Sequence, residues 1–257
     1  IDGKTYKTDS DRYNSLLGMN VTAWVKDDSL VYAMRDRTRT QTLTIDLKEV
    51  DGIDADCRKL TYYKDDARKA TVNISKIVRV IYNGKAYEEY TSDDFLSKQG
   101  KITLIDNNSD KVYDVVKIDS YKTMVTDTVY AEGQIFGKYT YKGALTDIDL
   151  EDNDYTILKN NKKVKFGELK EWDVLDVYES KGDKNKYIFI EVSQNTAEGT
   201  LDVSEDDKVK IDGKEYELTN ALQRAIEEND LKAPAVKVGS KYKIYIDCSG
   251  RIAAWSI

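Results

Sequence analysis

The chain has 257 residues, with 40 Lys and Arg against 47 Asp and Glu for a net charge of −7, and it contains no histidine. Without imidazole there is no Ser/His/Asp or Cys/His triad, no His-ligated zinc or iron and no proton shuttle with an unperturbed pKa near neutrality, and Cys57 and Cys248 are too few for a four-thiolate site. A mean hydropathy of −0.63 describes a wet-surfaced globular chain and an isoelectric point near 5.0 with both signs of charge interleaved argues against a nucleic-acid surface, while no apolar run approaches the roughly 18 residues of a membrane-spanning helix.

From the start of the chain, Ile1-Asp2-Gly3-Lys4-Thr5-Tyr6 reads as a hairpin turn, because Asp-Gly supplies the positive φ of a two-residue type I′ connection. A single helical turn over Arg12 to Leu17 follows, and then a strand entered through Gly18-Met19-Asn20-Val21, with Val21, Ala23 and Val25 alternating. Asp27-Asp28-Ser29 turns the chain back into Leu30 to Ala33. Arg35, Arg37 and Arg39 alternate with Asp36, Thr38 and Thr40, which puts three guanidinium groups on one strand face, as a solvated charged edge or as a contact for an acidic wall polymer.

The same order of parts then returns. Tyr82-Asn83-Gly84-Lys85 is a turn, a helical turn capped by Ser92 or Asp93 covers Asp94 to Lys98, and Gly100-Lys101-Ile102-Thr103 opens a strand that Asn107 to Asp110 turn back into Val112 to Val116. Further on, Lys159-Asn160-Asn161-Lys162 is the turn, and Trp172-Asp173-Val174-Leu175 opens a strand whose inward face carries Leu175 and Val177. The turn Gly182-Asp183-Lys184-Asn185 leads back to Tyr187 to Val192. Last, Ile211-Asp212-Gly213-Lys214-Glu215-Tyr216 precedes the best helix, Ala221 to Glu228, capped by Thr219 or Asn220 with Leu222, Ala225 and Ile226 on one face. Pro234 ends that segment; Gly239-Ser240-Lys241-Tyr242 opens a strand with Tyr242, Ile244 and Ile246 on one face, and Ser249-Gly250 turns it into Arg251 to Ile257.

Four units result, at 1–40, 41–125, 126–196 and 197–257. The third and fourth open with Ala131-Glu132-Gly133 and Ala197-Glu198-Gly199, each expected to lead into a strand, whereas the first starts at its turn and lacks such a strand. Together with the opening Ile1, this reads as a piece of something longer, with the partner strand supplied from elsewhere. Many short strands between turn signals predict an all-β fold with a few short helices, arranged as tandem small β-barrel or sandwich units.

Chemistry is sparse. Asp147, Asp149, Glu151, Asp152 and Asp154 alternate and could offer oxygen ligands to Ca²⁺, but the Gly and Glu of an EF-hand loop are out of register, so the competing reading is a solvated acidic turn and no metal is assigned. Asp9-Ser10-Asp11 and Asp106 to Asp110 read as Asx turns. No dinucleotide fingerprint, Walker A segment or Gly-x-Ser-x-Gly elbow exists. Cys57 and Cys248 fall at positions the repeat does not relate and read as two separate small hydrophobes, pairing only in an extracellular setting. Aromatic residues are 19 Tyr, 4 Phe and 3 Trp, a skew that strand pairing explains. Trp24, Tyr178 and Tyr245 occupy equivalent places in three units; exposed, they would be platforms for sugars or a partner, and buried, they close a second sheet, the reading preferred here.

The Asp-Gly-Lys-x-Tyr hairpin, the Gly-x-x-hydrophobic strand and the closing Asp247-Cys248-Ser249-Gly250-Arg251-Ile252 together resemble the small β repeats of S-layer and S-layer-homology-domain surface proteins of Gram-positive bacteria. The resemblance implies secretion to the cell surface or cell wall, a role as spacer, scaffold or lattice module, and no catalytic or cofactor-binding residues. The expected partners are other protein segments or copies of the same chain, joined through sheet edges, and cell-wall polysaccharide. Alternatives are a carbohydrate-binding module using Trp24, Tyr178 and Tyr245, a phage tail component with the same hairpin grammar, and a carboxylate-dependent hydrolase, which would need two acids across a cleft.

Overall fold

The computed structural model describes residues 1–8, 11–65, 67–182, 186–233 and 236–256, with the side chains of 11 and 12 outside that description. The Asp9-Ser10 turn, positions 183–185 of the predicted Gly182 turn and Pro234 therefore lie outside the described residues. The fold is nearly all β, with one α-helix. Chain contacts divide it into two compact units: unit 1 comprises Ile1–Ser120 with Ser180–Gly182, and unit 2 comprises Tyr121–Glu179 with Asp183–Ile257.

Unit 1 contains β1 (Val21–Lys26), β2 (Ser29–Arg35), β3 (Gln41–Asp46), β4 (Val50–Ile53), β5 (Lys59–Asp65), β6 (Arg68–Tyr82), β7 (Lys85–Ala86), β8 (Gly100–Asp106) and β9 (Val112–Ser120). Strands β1 and β2 form a ribbon of their own; the others form a sheet ordered β3-β8-β9-β6-β5-β4, with β7 paired to β6. All pairs are antiparallel except β6 with β9. Leu47, Leu60, Phe95, Ile102, Val116 and Ile118 make up the dry core of this sheet.

Unit 2 contains β10 (Lys122–Val129), β11 (Gln134–Gly137), β12 (Asp147–Asp149), β13 (Asp154–Lys159), β14 (Lys162–Val164), β15 (Val174–Glu179), β16 (Tyr187–Ser193), β17 (Asn195–Ser204), β18 (Lys208–Ile211), β19 (Lys214–Glu217), α1 (Asn220–Glu227), β20 (Lys241–Ile246) and β21 (Ile252–Ser256). One sheet runs β12-β11-β10-β15-β16-β13-β14 and the other β19-β18-β17-β20-β21. Helix α1 starts where Thr219 Oγ1 accepts the Leu222 N–H at 3.3 Å, and it buries Ala221, Leu222 and Ala225 against the smaller sheet's core.

The turn chemistry explains why the strands fall where they do. Asp2-Gly3, Asn83-Gly84, Asn160-Asn161 and Asp212-Gly213 all carry positive φ at both central residues, as does Asp27-Asp28, which is the type I′ signature. Strands β8, β15 and β20 start within two residues of their predicted entries, and β9, β16 and β21 return against them.

Two expectations are corrected. Arg37 and Arg39 lie in a turn and share no strand face with Arg35, because the Asp36 carboxylate accepts the Thr38 and Arg39 N–H groups and the Thr38 hydroxyl and stops β2 there. The two Ala-Glu-Gly segments are not equivalent: Ala131–Gly133 is the turn between β10 and β11, whereas Ala197–Gly199 lies inside β17.

Candidate functional site

Two places depart from an ordinary core-and-surface partition. The first is the β1–β2 ribbon. Trp24 stands directly opposite Tyr32, with ring centroids 5.4 Å apart, and Thr22 stands opposite Met34 on the same face. A register slip after Trp24 leaves Val31 as the extra residue. Trp24 is 50% exposed, Tyr32 46% and Val31 55%, and Val25 and Met34 are open to a similar degree. Apart from the bridge between Lys7 and Ser29, neither strand pairs with a further strand among the described residues, and the Tyr13 hydroxyl donates to the Val31 carbonyl of β2 at 3.1 Å; the outer edge of β1 is open.

The root of this ribbon is polar. The Asn20 N–H and the Thr40 hydroxyl both donate to Asn107 Oδ1 at 3.0 Å, Asn20 Nδ2 donates to the Asn107 carbonyl at 2.7 Å, and Asn107 Nδ2 donates to the Gly18 carbonyl at 2.9 Å. Gly18 has φ +84, and a Cβ there would lie 2.8 Å from Val115 Cγ1, so the approach to the sheet admits only glycine. A two-stranded ribbon is at best marginal alone, and this one is held by its root, by Lys7, which exchanges main-chain bonds with Asp28 and Leu30, and by the Tyr13 hydroxyl on Val31.

The second place is a buried polar cluster in unit 2. Asp176, on β15, and Asp247, in the turn between β20 and β21, are each only 1% exposed. Asp247 is fully engaged: it accepts the Ser249 and Arg251 N–H groups at 2.9 and 2.8 Å, and Arg251 Nε and Nη2 at 2.8 and 2.6 Å. Arg251 Nη2 also donates to the Tyr121 hydroxyl at 2.6 Å. Asp176 accepts the Thr123 hydroxyl at 2.9 Å and the Cys248 N–H at 3.4 Å. Burial pushes its carboxyl up to about 7; Asp247 adds to the rise, and Thr123, Arg251 and the Cys248 N–H oppose it. Burial and then Glu191 raise the Tyr178 hydroxyl, which donates to Glu191 at 3.3 Å.

Alternation along β15 assigns Asp176 to the wet face, opposite Leu175 and Val177. β15 is a central strand, paired on one side with β10 and on the other with β16, and it is buried on both faces along its first four residues. Asp247 is legible only as turn grammar, in the closing Asp-x-x-Gly-x-Ile element.

The residues singled out as aromatic platforms are dispersed. Trp24 is on the ribbon of unit 1. In unit 2, Tyr178 is half-buried on β15 against Tyr121 and Phe189, and Tyr245 is buried on β20, stacked on Trp172 at 4.5 Å. Trp172 also lies under Lys138 Nζ at 3.9 Å, and this buried ammonium is paired with Asp127 and Glu171. Asp147, Asp149 and Asp152 line a 640 Å³ cleft together with Glu179 and Lys186, which form an ion pair, over a floor that includes Ile148 and Ile188; Asp154 is the first residue of β13. Asp149 accepts the Glu151 N–H at 2.9 Å and Asp147 the Thr146 hydroxyl at 2.8 Å, so these carboxylates shape their own turn. No three acidic or thiol side chains among the described residues are grouped to hold a metal ion. Cys57 is buried in unit 1, Cys248 is in unit 2, and both are free thiols.

No helix among the described residues is long and apolar enough to cross a membrane. No family model and no solved structure matches the chain. A surface layer protein of Brevibacillus choshinensis is 24% identical over 287 residues, a match that takes in 93% of this chain and 25% of that protein, so the chain spans about a quarter of the length of the curated relative it matches.

Proposed function

We propose that this chain is a non-enzymatic structural module of a bacterial surface-layer-type assembly, a spacer or scaffold that joins its neighbours by strand addition at the β1–β2 ribbon. The observation that carries the reading is an open β1 edge beside an apolar strip of Trp24, Tyr32 and Met34 that faces solvent. An unpaired edge offers main-chain hydrogen bonds to an incoming strand, and the strip supplies the apolar area to hold it. The likeness to a surface layer protein over most of the chain supports an extracellular setting at the cell surface. In this reading the incoming strand belongs to a second copy, the four turn-and-hairpin segments act as tandem small β units, and neither a catalytic group nor calcium is required.

Sedimentation of the wild type and of a Trp24→Lys/Tyr32→Lys variant across a concentration series tests it. The wild type should associate reversibly and the variant should stay monomeric, with the unfolding of unit 2 unchanged. A wild type that remains monomeric at its solubility limit sinks the proposal. The tilted Trp24–Tyr32 pair favours a second reading, a stacking surface for cell-wall polysaccharide; solubilised polysaccharide would then raise the midpoint of the wild type alone.

A further inference from the structure

The Asp176 cluster invites a different inference, one that stands apart from the ribbon's proposed role. Two carboxylates and one guanidinium meet at 1% exposure for both acids, and the guanidinium is committed to Asp247 through both Nε and Nη2. Asp176 is left with the Thr123 hydroxyl, one long N–H contact and the Cys248 thiol, all neutral groups. Its two partners come from different sheets of unit 2: Thr123 is its direct cross-strand neighbour on β10, and Cys248 belongs to the turn between β20 and β21. The groups that face it from every side are Asp247, Arg251 and the Cys248 thiol from that turn, Glu191 from β16, Tyr178 from its own strand and Tyr121 just before β10. Arg251 is the cation of this set, and the remaining ionisable members are acids.

We propose that Asp176 is a proton-operated latch inside unit 2: protonated, it lets the Asp247–Arg251 turn rest against strand β15 without repulsion, and ionised, although it accepts more strongly from Thr123 and the Cys248 N–H, it sets a second buried negative charge beside Asp247, whose guanidinium partner is already committed, and that repulsion loosens the turn. The sign follows from the burial. The folded carboxyl titrates near 7, above the ordinary 3.8 of an unfolded aspartate, so the folded state binds the proton more tightly. Stability is full below the unfolded value, falls as pH rises between the two, and levels off above the folded one. A proton is thus the ligand of the site, and a mildly acidic surrounding tightens the tie between the two sheets.

The test is amide exchange at Cys248, Ser249 and Arg251 from about pH 5 to about pH 8.5, corrected for intrinsic rates, in the wild type and in Asp176→Asn, which keeps the shape and cannot ionise. Wild-type protection should fall by up to about tenfold per pH unit towards neutrality and then level off, while the variant stays flat. Superimposable profiles would overturn the latch. Should the variant fail to fold, the carboxyl carbon shift of Asp176 in the wild type decides: titration near 7 supports the proposal, and titration in the ordinary range near 4 refutes it.

Discussion

The β1–β2 ribbon of unit 1 and the Asp176 cluster of unit 2 invert each other's chemistry. The ribbon keeps aromatic and aliphatic side chains in water and is held by hydrogen bonds around Asn107, whereas the cluster keeps carboxylates in a dry interior where strands of two sheets meet. Exposed apolar area costs the free chain solubility and is recovered only when a partner covers it. Buried charge costs the folded state directly and is recovered only through matched partners. On the two proposals above, one region is poised toward another molecule and the other toward a proton.

The sharpest way to break this contrast is Asp247→Ala, which strips Arg251 of its carboxylate and leaves two turn N–H groups without their acceptor. A loss of about 3–5 kcal/mol is expected in denaturant unfolding of unit 2. If the loss is under about 1 kcal/mol, the cluster is wet and the contrast fails. Asn107→Ala should cost about 2 kcal/mol by removing three side-chain hydrogen bonds at the ribbon's root. Exchange at β1 amides should quicken while unit 2 unfolds as before. Thr219→Ala, which removes only the cap of α1 and leaves its main-chain bond to Ile252, provides a yardstick of about 1 kcal/mol, read from the same melts. Least of all, Trp24→Lys with Tyr32→Lys should cost the ribbon about 0.5–1 kcal/mol, through the lost ring pair and two ammonium groups set opposite each other, while abolishing association. A large destabilisation there would mean that the rings belong to a folded interior and not to an interface.

Much of the fold is readable from local chemistry. Asp2-Gly3, Asn83-Gly84, Asn160-Asn161 and Asp212-Gly213 take up positive φ at both residues, so these four turns were readable from local chemistry, whereas Asp51-Gly52, the same pair type, runs on inside β4. The same holds for Thr219 as a cap and for the apolar stripe of α1. Arg37 and Arg39 were misplaced because alternation of residue types mimics a strand, while the Asp36 side chain ends it. The candidate sites were legible in part. For Trp24 burial is the reading preferred from the sequence over an exposed platform, and the structure leaves it half exposed, because β1 finds no third strand among the described residues. The carboxylates of Asp147 to Asp154 drew attention by their density and turn out to shape a turn beside a cleft.

Asp176 and Asp247 show the limit most clearly. A residue between Leu175 and Val177 points away from them by the two-residue period of a strand, and nothing local says whether that direction leads to water. The amino-acid sequence alone therefore determined the turns, the hairpins, the one helix and the absence of imidazole chemistry, all of which depend on contacts a few residues long. Only the tertiary structure decided which strands became central, which edge stayed open and which carboxylates were sealed away, because burial is set by segments more than 50 and up to 130 residues apart, as in Thr123 with Asp176 or Tyr121 with Arg251.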